Sequence, residues 1–390
     1  MSVSPTEAAA FSGRRSLWSG LLQSLTRVTS GGRFVPCVDG VRCIAIMAVL
    51  LYHLNGYIVA RATGFSEAEA RQTFVFHLLH GASCGVQLFF AISGFILALP
   101  FAREQLTAGQ PVRLKHYFWR RVTRLEPPFL INLALIYLLL VLVKHRSATE
   151  LLPSLLATMT YTHNWIYGQL SAINAVAWSL EIEVQFYIIA PFLARWYFRS
   201  PPARRRLLMA GMVCLLIGLK IMWPVTPAQK LRLGLAYTLD HFLVGIMVAD
   251  LFVFHWKERP AGQRLWDLVA LVVLPSVFLI QLDPRTYHLL PVLSGLLLVS
   301  AFRGPLTNRV LTTPLIVVTG GMCYSIYLYH FLVISMVGRF TISGTVGYGY
   351  LPQLVIQSII IVPVVVAVCA VFFAAIEKPF MKWRPVRVSA

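Results

Sequence analysis

Long apolar stretches recur along the whole chain and constrain its fold more than any other feature. A transmembrane α-helix needs about 20 predominantly apolar residues. Candidate spans of roughly that length cover residues 40–60, 82–102, 128–145, 176–198, 207–223, 233–254, 265–282, 287–302, 313–337 and 351–376. The segment 151–166 is also apolar but contains Pro153 and is shorter, so we predict it to be interfacial or re-entrant. The sequence therefore predicts an all-α integral membrane protein, a bundle of about ten transmembrane helices.

The composition supports this class and argues against its main alternatives. Of 390 residues, 57% are hydrophobic and 13% are charged, whereas about a quarter of a soluble domain is charged. The net charge of +19 would suit nucleic acid, but the Lys and Arg residues lie between apolar runs. No nucleic-acid binding is therefore expected. The six cysteines form no CxxC motif, so neither a disulfide framework nor a metal site is predicted.

Basic residues between the spans predict how the bundle is oriented. With ten spans and a cytoplasmic N-terminus, most of the 34 Lys and Arg residues fall on the cytoplasmic side, as the positive-inside rule requires. Both termini are therefore predicted to be cytoplasmic, in a bacterial inner membrane. The predicted parts are a cytoplasmic tail with an interfacial amphipathic helix at 1–34, a transmembrane domain at 35–380 and a short basic cytoplasmic tail at 381–390.

Arg42 and His53 share one face of the first predicted span. Eleven positions at about 100° per residue bring the two side chains within about 20° of each other, and a rise of about 1.5 Å per residue separates them by about 16 Å. The predicted topology puts Glu183 and His330 at a depth similar to that of His53. Because ionisable groups inside a membrane are costly, they indicate a functional site. The sequence thus predicts a buried polar layer above a cytoplasmic basic cluster.

Six motifs occur in order between residues 35 and 380. They are Asp39-Gly40-x-Arg42 followed by His53, GVQLFFAISGF at 85–95, FWRRVTRLEP at 118–127, WSLEIEVQFY at 178–187, YSIYLYH at 324–330 and EKP at 377–379. Together they resemble the membrane acyltransferase-3 family, which transfers acyl groups, commonly acetyl, to hydroxyls of cell-surface glycans and other acceptors. Gln87 stands where this family often has Asp, so we assign that position no charge-dependent role.

The resemblance and the membrane placement together give three candidate catalytic residues. A neutral His53 could act as general base on an acceptor hydroxyl, or could carry the acyl group as an acyl-imidazole. Glu183 is expected to bond to His53, to His330 or to the acceptor. His330, with Tyr327 three positions before it, is either a third catalytic group or part of an interhelical hydrogen-bond cluster.

Acyl-CoA, expected to be acetyl-CoA, is the predicted donor, with no metal. Its phosphates are expected to bind Arg42, Arg121 and Arg124, since Arg121 and Arg124 share a helix face and can grip phosphate bidentately. The alternative is that all three are ordinary positive-inside residues. Arg120 points elsewhere on such a helix and is predicted to be a lipid-facing charge.

Three further residues are candidate substrate-binding groups: Tyr327, Ser93 and Trp178. Packing is the competing explanation for Trp178, and a close helix contact for the Ser93-Gly94 pair. The acceptor is expected to be a cell-surface polysaccharide or a lipid-linked glycan. A secondary metabolite such as a macrolide sugar is the alternative acceptor, and a transporter or flippase the alternative class, although no inverted repeat is evident. The sequence leaves open whether the chain forms a homo-oligomer.

Overall fold

The structure is a computed structural model that describes residues 20, 24–27, 34–107, 109–223, 233–283 and 286–382. Over these residues the chain is helical and contains no strand. The amphipathic helix predicted within 1–34 and the basic tail predicted at 381–390 lie largely outside the described residues. The predicted all-α class is confirmed.

The helices follow one another with short connections. They are α1 (Pro36–Arg61), α2 (Glu67–Arg71), α3 (Phe74–Gly81), α4 (Gly85–Leu106), α5 (Leu114–Leu142), α6 (Ala148–Met159), α7 (His163–Tyr167), α8 (Ala177–Arg199), α9 (Pro202–Met222), α10 (Leu235–Asp250), α11 (Leu265–Leu279), α12 (Leu290–Arg303), α13 (Pro305–Leu311), α14 (Pro314–Gly321), α15 (Cys323–Thr341), α16 (Tyr350–Phe372) and α17 (Lys378–Lys382). The π-helical turns Leu251–His255 and Phe373–Glu377 extend α10 and α16.

Local sequence explains why α1 runs unbroken through the Arg42–His53 stripe. Pro36 stands in its first turn, where a missing N–H costs nothing. Asp39 lies in the first turn and Arg61 in the last, so both charges interact favourably with the helix dipole. The single helix confirms that Arg42 and His53 share a stripe.

Six helical stretches of the described residues are long and apolar enough to cross a membrane. They are Pro36–Arg61, Phe74–Leu106, Leu114–Leu142, Leu235–His255, Cys323–Thr345 and Tyr350–Lys382. A seventh would result if the segments Tyr287–Arg303 and Pro305–Leu311, bent by 91°, formed one broken span. The chain is a multi-pass membrane protein; the total of ten spans remains a prediction.

Four predicted spans are helices that do not reach this length or apolarity. α8 carries Glu181 and Glu183, and α9 carries a run of arginines and Lys220, which lower the mean hydropathy. α11 has 15 residues and α12 has 14. α6 and α7, in the segment predicted to be interfacial or re-entrant, have 12 and five residues, too few to cross a bilayer.

Several charged side chains of α9, though not the exposed Arg204, face the bundle, and several of its apolar residues face outward. Lys220 Nζ donates to Asp240 Oδ2 of α10 at 2.6 Å, and at the other end Arg206 Nε donates to Asp250 Oδ2 at 2.6 Å. Leu207, by contrast, is 73% exposed. An outward apolar face on a helix with buried ion pairs suits contact with lipid better than contact with water.

Two predicted span boundaries are wrong. The basic motif at 118–127 and the span predicted at 128–145 form the one helix α5, which continues through Pro127 and Pro128. The span predicted at 313–337 is broken between α14 and α15 at Met322, directly after Gly320-Gly321. A Cβ on Gly320 would stand 1.7 Å from the carbonyl oxygen of Asp39, so only glycine allows this close approach to α1.

The core consists of two hydrophobic clusters that share α1. The first is built mainly on α4, α8, α10 and α12 and contains the stacked rings of Phe90, Phe186 and Phe242. The second is built on α1, α15 and α16, with Leu50 and Tyr329 at its centre. Residues of both clusters line one cavity, which contains most of the predicted site.

Candidate active site

A cavity of about 1090 Å³ opens among α1, α4, α5, α8 and α15. Pockets for small-molecule ligands are commonly about 300–1,000 Å³, so this one is large. Its walls combine apolar side chains of α4 with an unusual number of cations. The arginines that line it are Arg27, Arg42, Arg103, Arg113, Arg120, Arg121 and Arg124.

Arg42 enters the cavity from α1 and is held by a neighbour on the same helix. Its Nη1 donates to Asp39 Oδ1 at 2.8 Å, and Arg27 Nε donates to Asp39 Oδ2 at 2.8 Å. Asp39 is fully buried, and Arg42 is 8% exposed. One carboxylate thus orients two guanidinium groups, each through a charge-assisted hydrogen bond.

Arg121 and Arg124 lie on the first turns of α5 and face the same cavity, as predicted from their spacing. Arg121 Nη1 donates to the carbonyl oxygen of Tyr117 at 2.9 Å, and its guanidinium stacks 3.6 Å from the centre of the Tyr117 ring. Arg121 Nε is buried without a hydrogen-bond partner. Arg124 Nη2 lies 4.0 Å from Glu377 Oε1.

Arg120 also lines the cavity and is half-buried. The prediction that it is a lipid-facing charge is therefore wrong. Neighbouring residues of a single helix turn normally diverge, but here the cavity surrounds the start of α5 widely enough to reach Arg120 as well as Arg121.

Glu183 lies in the cavity wall among hydroxyl groups. Ser93 Oγ donates to its Oε1 at 2.6 Å, and Tyr187 Oη donates to the same oxygen at 2.7 Å. Among the described residues, neither His53 nor His330 is hydrogen-bonded to it, so the two histidine partners expected for Glu183 are not observed. The structure instead joins two predicted residues, Ser93 of α4 and Glu183 of α8, across a helix interface.

His53 and His330 contact each other between α1 and α15. His330 Nε2 lies 3.1 Å from His53 Nδ1, and the ring centroids are 4.9 Å apart. His330 is fully buried, whereas His53 is half-buried. The predicted proximity of these two histidines is observed; their catalytic roles stay predictions.

The hydrogen bonds assign the proton on each ring. His330 Nδ1 faces the carbonyl oxygens of Ile326 and Tyr327 at 2.8 and 2.9 Å, which only accept, so this nitrogen carries the proton. In the neutral ring Nε2 is then an acceptor, and His53 Nδ1 must donate to it while also facing the Val49 carbonyl oxygen at 2.9 Å. The lone pair of neutral His53 therefore lies on Nε2.

Tyr327 connects the histidine pair to the cavity. Its side chain lines the cavity, and its hydroxyl donates to the Val176 carbonyl oxygen and lies 3.1 Å from Ser179 Oγ. The carbonyl oxygen of Tyr327 accepts a hydrogen bond from His330 Nδ1. Neither histidine is among the described lining residues. Tyr327 lies three residues before His330, a rise of about 4.5 Å, so the cavity lining comes within about one helical turn of the histidine pair.

Trp178 is not among the lining residues. It is half-buried and packs against the first hydrophobic cluster, and its carbonyl oxygen accepts from Asn164 Nδ2 at 2.9 Å. Of the three predicted substrate-binding residues, Ser93 and Tyr327 line the cavity and Trp178 does not.

The sequence reasoning did not single out three residues that shape the site. Asp39 orients Arg42 and Arg27, and its place within the first motif was the available signal. Glu377, from the last motif, is fully buried and accepts from Ser325 N and Oγ at 3.1 and 2.7 Å. Arg27 had no signal beyond its charge. Among the described residues no group of three or more His, Cys, Asp or Glu could hold a metal.

A family profile described as an acyltransferase domain matches residues 35–374, which is most of the chain. The chain belongs to the acyltransferase-3 family. The match includes every predicted site residue. It confirms the resemblance inferred from the six motifs, and it places the chain among the acyltransferases.

Two curated relatives of this chain are proteins of Staphylococcus aureus. The protein named "Putative O-acetyltransferase SACOL0978" of strain COL is 25% identical over 388 residues, covering 90% of this chain and 59% of the relative. "O-acetyltransferase OatA" of strain NCTC 8325 is 21% identical over 353 residues, covering 84% of this chain and 55% of the relative. The chain thus spans less than three-fifths of the length of these relatives. No solved structure matches it.

Proposed function

We propose that this protein is an integral membrane O-acyltransferase that moves an acyl group, expected to be acetyl, from acyl-CoA to a hydroxyl of a cell-surface polysaccharide or lipid-linked glycan. The observation that carries the proposal is an arginine-lined cavity whose lining comes within about one helical turn of a histidine pair. The names of the curated relatives, which describe O-acetyltransferases, support acetyl as the group transferred.

The charge of the cavity supports a polyanionic donor. Asp39 pairs with Arg27 and Arg42, Glu258 pairs with Arg103, and Glu377 lies near Arg124. Over the described residues no carboxylate lies within ion-pair distance of Arg113, Arg120 or Arg121, which also line the cavity. These cations and the unpaired Nε of Arg121 suit the phosphates of a coenzyme A thioester, because guanidinium binds phosphate through forked hydrogen bonds.

His53 is the proposed base. Its Nε2 lone pair takes the proton of the acceptor hydroxyl while that oxygen attacks the thioester carbonyl carbon. The C–O bond forms, the C–S bond breaks, and the coenzyme thiolate leaves with the proton that Nε2 had accepted. In the alternative path Nε2 attacks the carbonyl carbon and the thiolate leaves. The acceptor hydroxyl then attacks the acyl-imidazole, the C–N bond breaks, and the hydroxyl proton passes to the thiolate.

Two further residues, His330 and Glu183, have proposed supporting roles. His330 accepts from His53 Nδ1 alongside the Val49 carbonyl oxygen, and in this proposal it stabilises the imidazolium that forms during transfer. Glu183, held by Ser93 and Tyr187, is placed to bind the donor or the acceptor within the cavity. Because its recorded partners are hydroxyls, we propose for it a substrate-orienting role.

The decisive experiment measures transfer of radiolabelled acetyl groups by the purified protein in nanodiscs. His53→Ala is expected to lower kcat by about 10²–10⁴, and Arg42→Ala is expected to weaken acyl-CoA binding. His77→Ala is the matched control, because His77 lies on α3 and its ring packs against Phe76 and not against His53 or His330. Wild-type transfer by the His53→Ala protein would contradict the proposal.

The acceptor is identified in cells. Envelope glycans and extractable metabolites from cells with wild-type protein are compared by mass spectrometry with those from cells with His53→Ala. Loss of O-acetyl from a surface glycan is the expected result, whereas loss from a small metabolite would favour the macrolide-sugar alternative. Solute flux in proteoliposomes without consumption of acyl-CoA would instead indicate a transporter.

A further inference from the structure

Arg27 belongs to the cavity wall although it lies outside the matched family region of residues 35–374. It precedes α1, in the short described segment 24–27. A basic residue of a terminal segment would ordinarily be a solvated charge that sets topology. Its surroundings here are different.

The side chain of Arg27 is enclosed on several sides. Only 12% of it is exposed. Its Nε donates to Asp39 Oδ2 at 2.8 Å, and its guanidinium lies 5.9 Å from the centre of the Phe34 ring. Its aliphatic part stands 3.7–3.9 Å from where a Cβ of Gly321 would be. These contacts from α1 and α14 fix the position of the guanidinium.

The local charge is not balanced. Among the described residues, Asp39 is the only carboxylate within ion-pair distance of Arg27, and it is shared with Arg42. Two guanidinium groups against one carboxylate leave a buried positive charge, which is costly without a further anion. Burial and the nearby Arg42 lower the pKa of Arg27 to about 9, which agrees with an incompletely compensated cation.

The geometry leaves both arginines able to bind a second anion. Asp39 engages Nε of Arg27 and Nη1 of Arg42, and the other guanidinium nitrogens remain for a ligand in the cavity. We propose that Arg27 is a donor-binding residue, and that Asp39 holds Arg27 and Arg42 as a paired clamp for a phosphate of the coenzyme. This inference rests on the proposed function, since it specifies how that function's donor is bound.

The test measures binding of a non-hydrolysable acetyl-CoA thioether to the full-length protein by calorimetry. Hydrogen bonds to charged groups contribute about 1.5–3 kcal/mol, so Arg27→Gln is expected to raise Kd at least about tenfold, with partial recovery in Arg27→Lys. Arg309→Gln is the matched control, because Arg309 is exposed on α13 and lies outside the cavity lining. It removes the same charge and should leave Kd within about twofold.

A second variant tests the clamp rather than the charge. Asp39→Asn should weaken binding in the wild-type background and add little to Arg27→Gln, because the clamp is already broken. Size-exclusion chromatography of each variant establishes that it is folded before binding is compared. An acyl-pantetheine without nucleotide phosphates should bind the wild type and Arg27→Gln equally.

The outcomes separate this inference from the proposed function. If the wild type does not bind the thioether, the proposal that acyl-CoA is the donor is wrong, and so is the proposal of a phosphate clamp. If the wild type binds, Arg42→Ala weakens binding and Arg27→Gln does not, the donor stands and the inference about Arg27 is overturned.

Discussion

At the scale of single residues, nearby backbone carbonyls and the contact between the two rings determine which nitrogen of His53 and of His330 carries the proton. The two carbonyl oxygens facing His330 Nδ1 leave its Nε2 as an acceptor, and this in turn makes His53 Nδ1 a donor. Without His330, His53 Nδ1 would donate only to the Val49 carbonyl oxygen. The tautomer of His53 would be the same, but its imidazolium form would lack the second acceptor that His330 Nε2 provides. His330 is therefore expected to act on rate through His53 rather than on substrate affinity.

Replacing His330 tests this role. His330→Leu removes the acceptor, and kcat is expected to fall by about 10–100-fold, by analogy with the loss of a group that orients a metal-bound histidine. KM for acyl-CoA should change little. His330→Gln retains an acceptor oxygen and should recover part of the rate. Phe331→Leu serves as control, since Phe331 packs edge-on at 5.6 Å from the His53 ring centre without a hydrogen bond. A wild-type kcat in His330→Leu would contradict the assignment.

For single residues, the sequence predicted which side chains share a helix face better than it predicted their hydrogen-bond partners. The register of α1 places Arg42 and His53 on one stripe, because helical periodicity is a local property. The partners of Glu183 could not be predicted, because Ser93 lies 90 positions earlier in the chain. The predicted depth of Glu183 in the bilayer limited its possible partners to the polar residues at that depth. Helix packing alone decides which of them it contacts.

At the scale of helices, glycines set how closely α4 and α10 cross. A Cβ on Gly94 would stand 2.1 Å from the carbonyl oxygen of Phe242, and a Cβ on Gly245 would stand 2.1 Å from that of Ala91. Without these glycines the backbones would have to separate. The contact matters to the site because Ser93, next to Gly94, binds Glu183.

Adding a methyl group at this crossing should destabilise the fold. Gly245→Ala is expected to cost about 1–3 kcal/mol, the usual range for overpacking, and to lower the Tm of the detergent-purified protein. Gly218→Ala on α9 is the control, because nothing lies within 4 Å of its added Cβ; alanine there should be neutral or stabilising by about 0.5–1 kcal/mol. Equal Tm values for the two variants would show that the backbones do not approach as described.

At the scale of the whole molecule, the inward-facing polar residues of α8 and α9 bear on how many helices cross the bilayer. The six spans found by length and apolarity exclude α8 and α9. Their polar residues, however, include Glu183 in the cavity and Lys220 in a buried pair, so the low apolarity reflects inward-facing groups. The outward face of α9, with Leu207 73% exposed and Leu215 55% exposed, favours contact with lipid.

A cysteine at the start of α9 distinguishes ten spans from six. With ten spans Ala203, the second residue of α9, is cytoplasmic, whereas with six spans it lies outside, because α8 and α9 would not cross. Ala203→Cys is therefore expected to react with a membrane-impermeant maleimide only in inside-out vesicles. Val346→Cys, at a position 62% exposed that both topologies place outside, is the control. Labelling of Ala203→Cys from the outside would contradict the ten-span bundle.

The sequence by itself determined the all-helical membrane class, the family and the register of Arg42 and His53. These follow from composition, from motif order and from the 3.6-residue period, which are all readable within short stretches. Only the tertiary structure decided that Arg120 lines the cavity, that Asp39 holds Arg27, and that Glu183 binds hydroxyls and neither histidine. Such contacts join residues that are distant in the chain. Helix packing decides which of several equally polar groups come into contact.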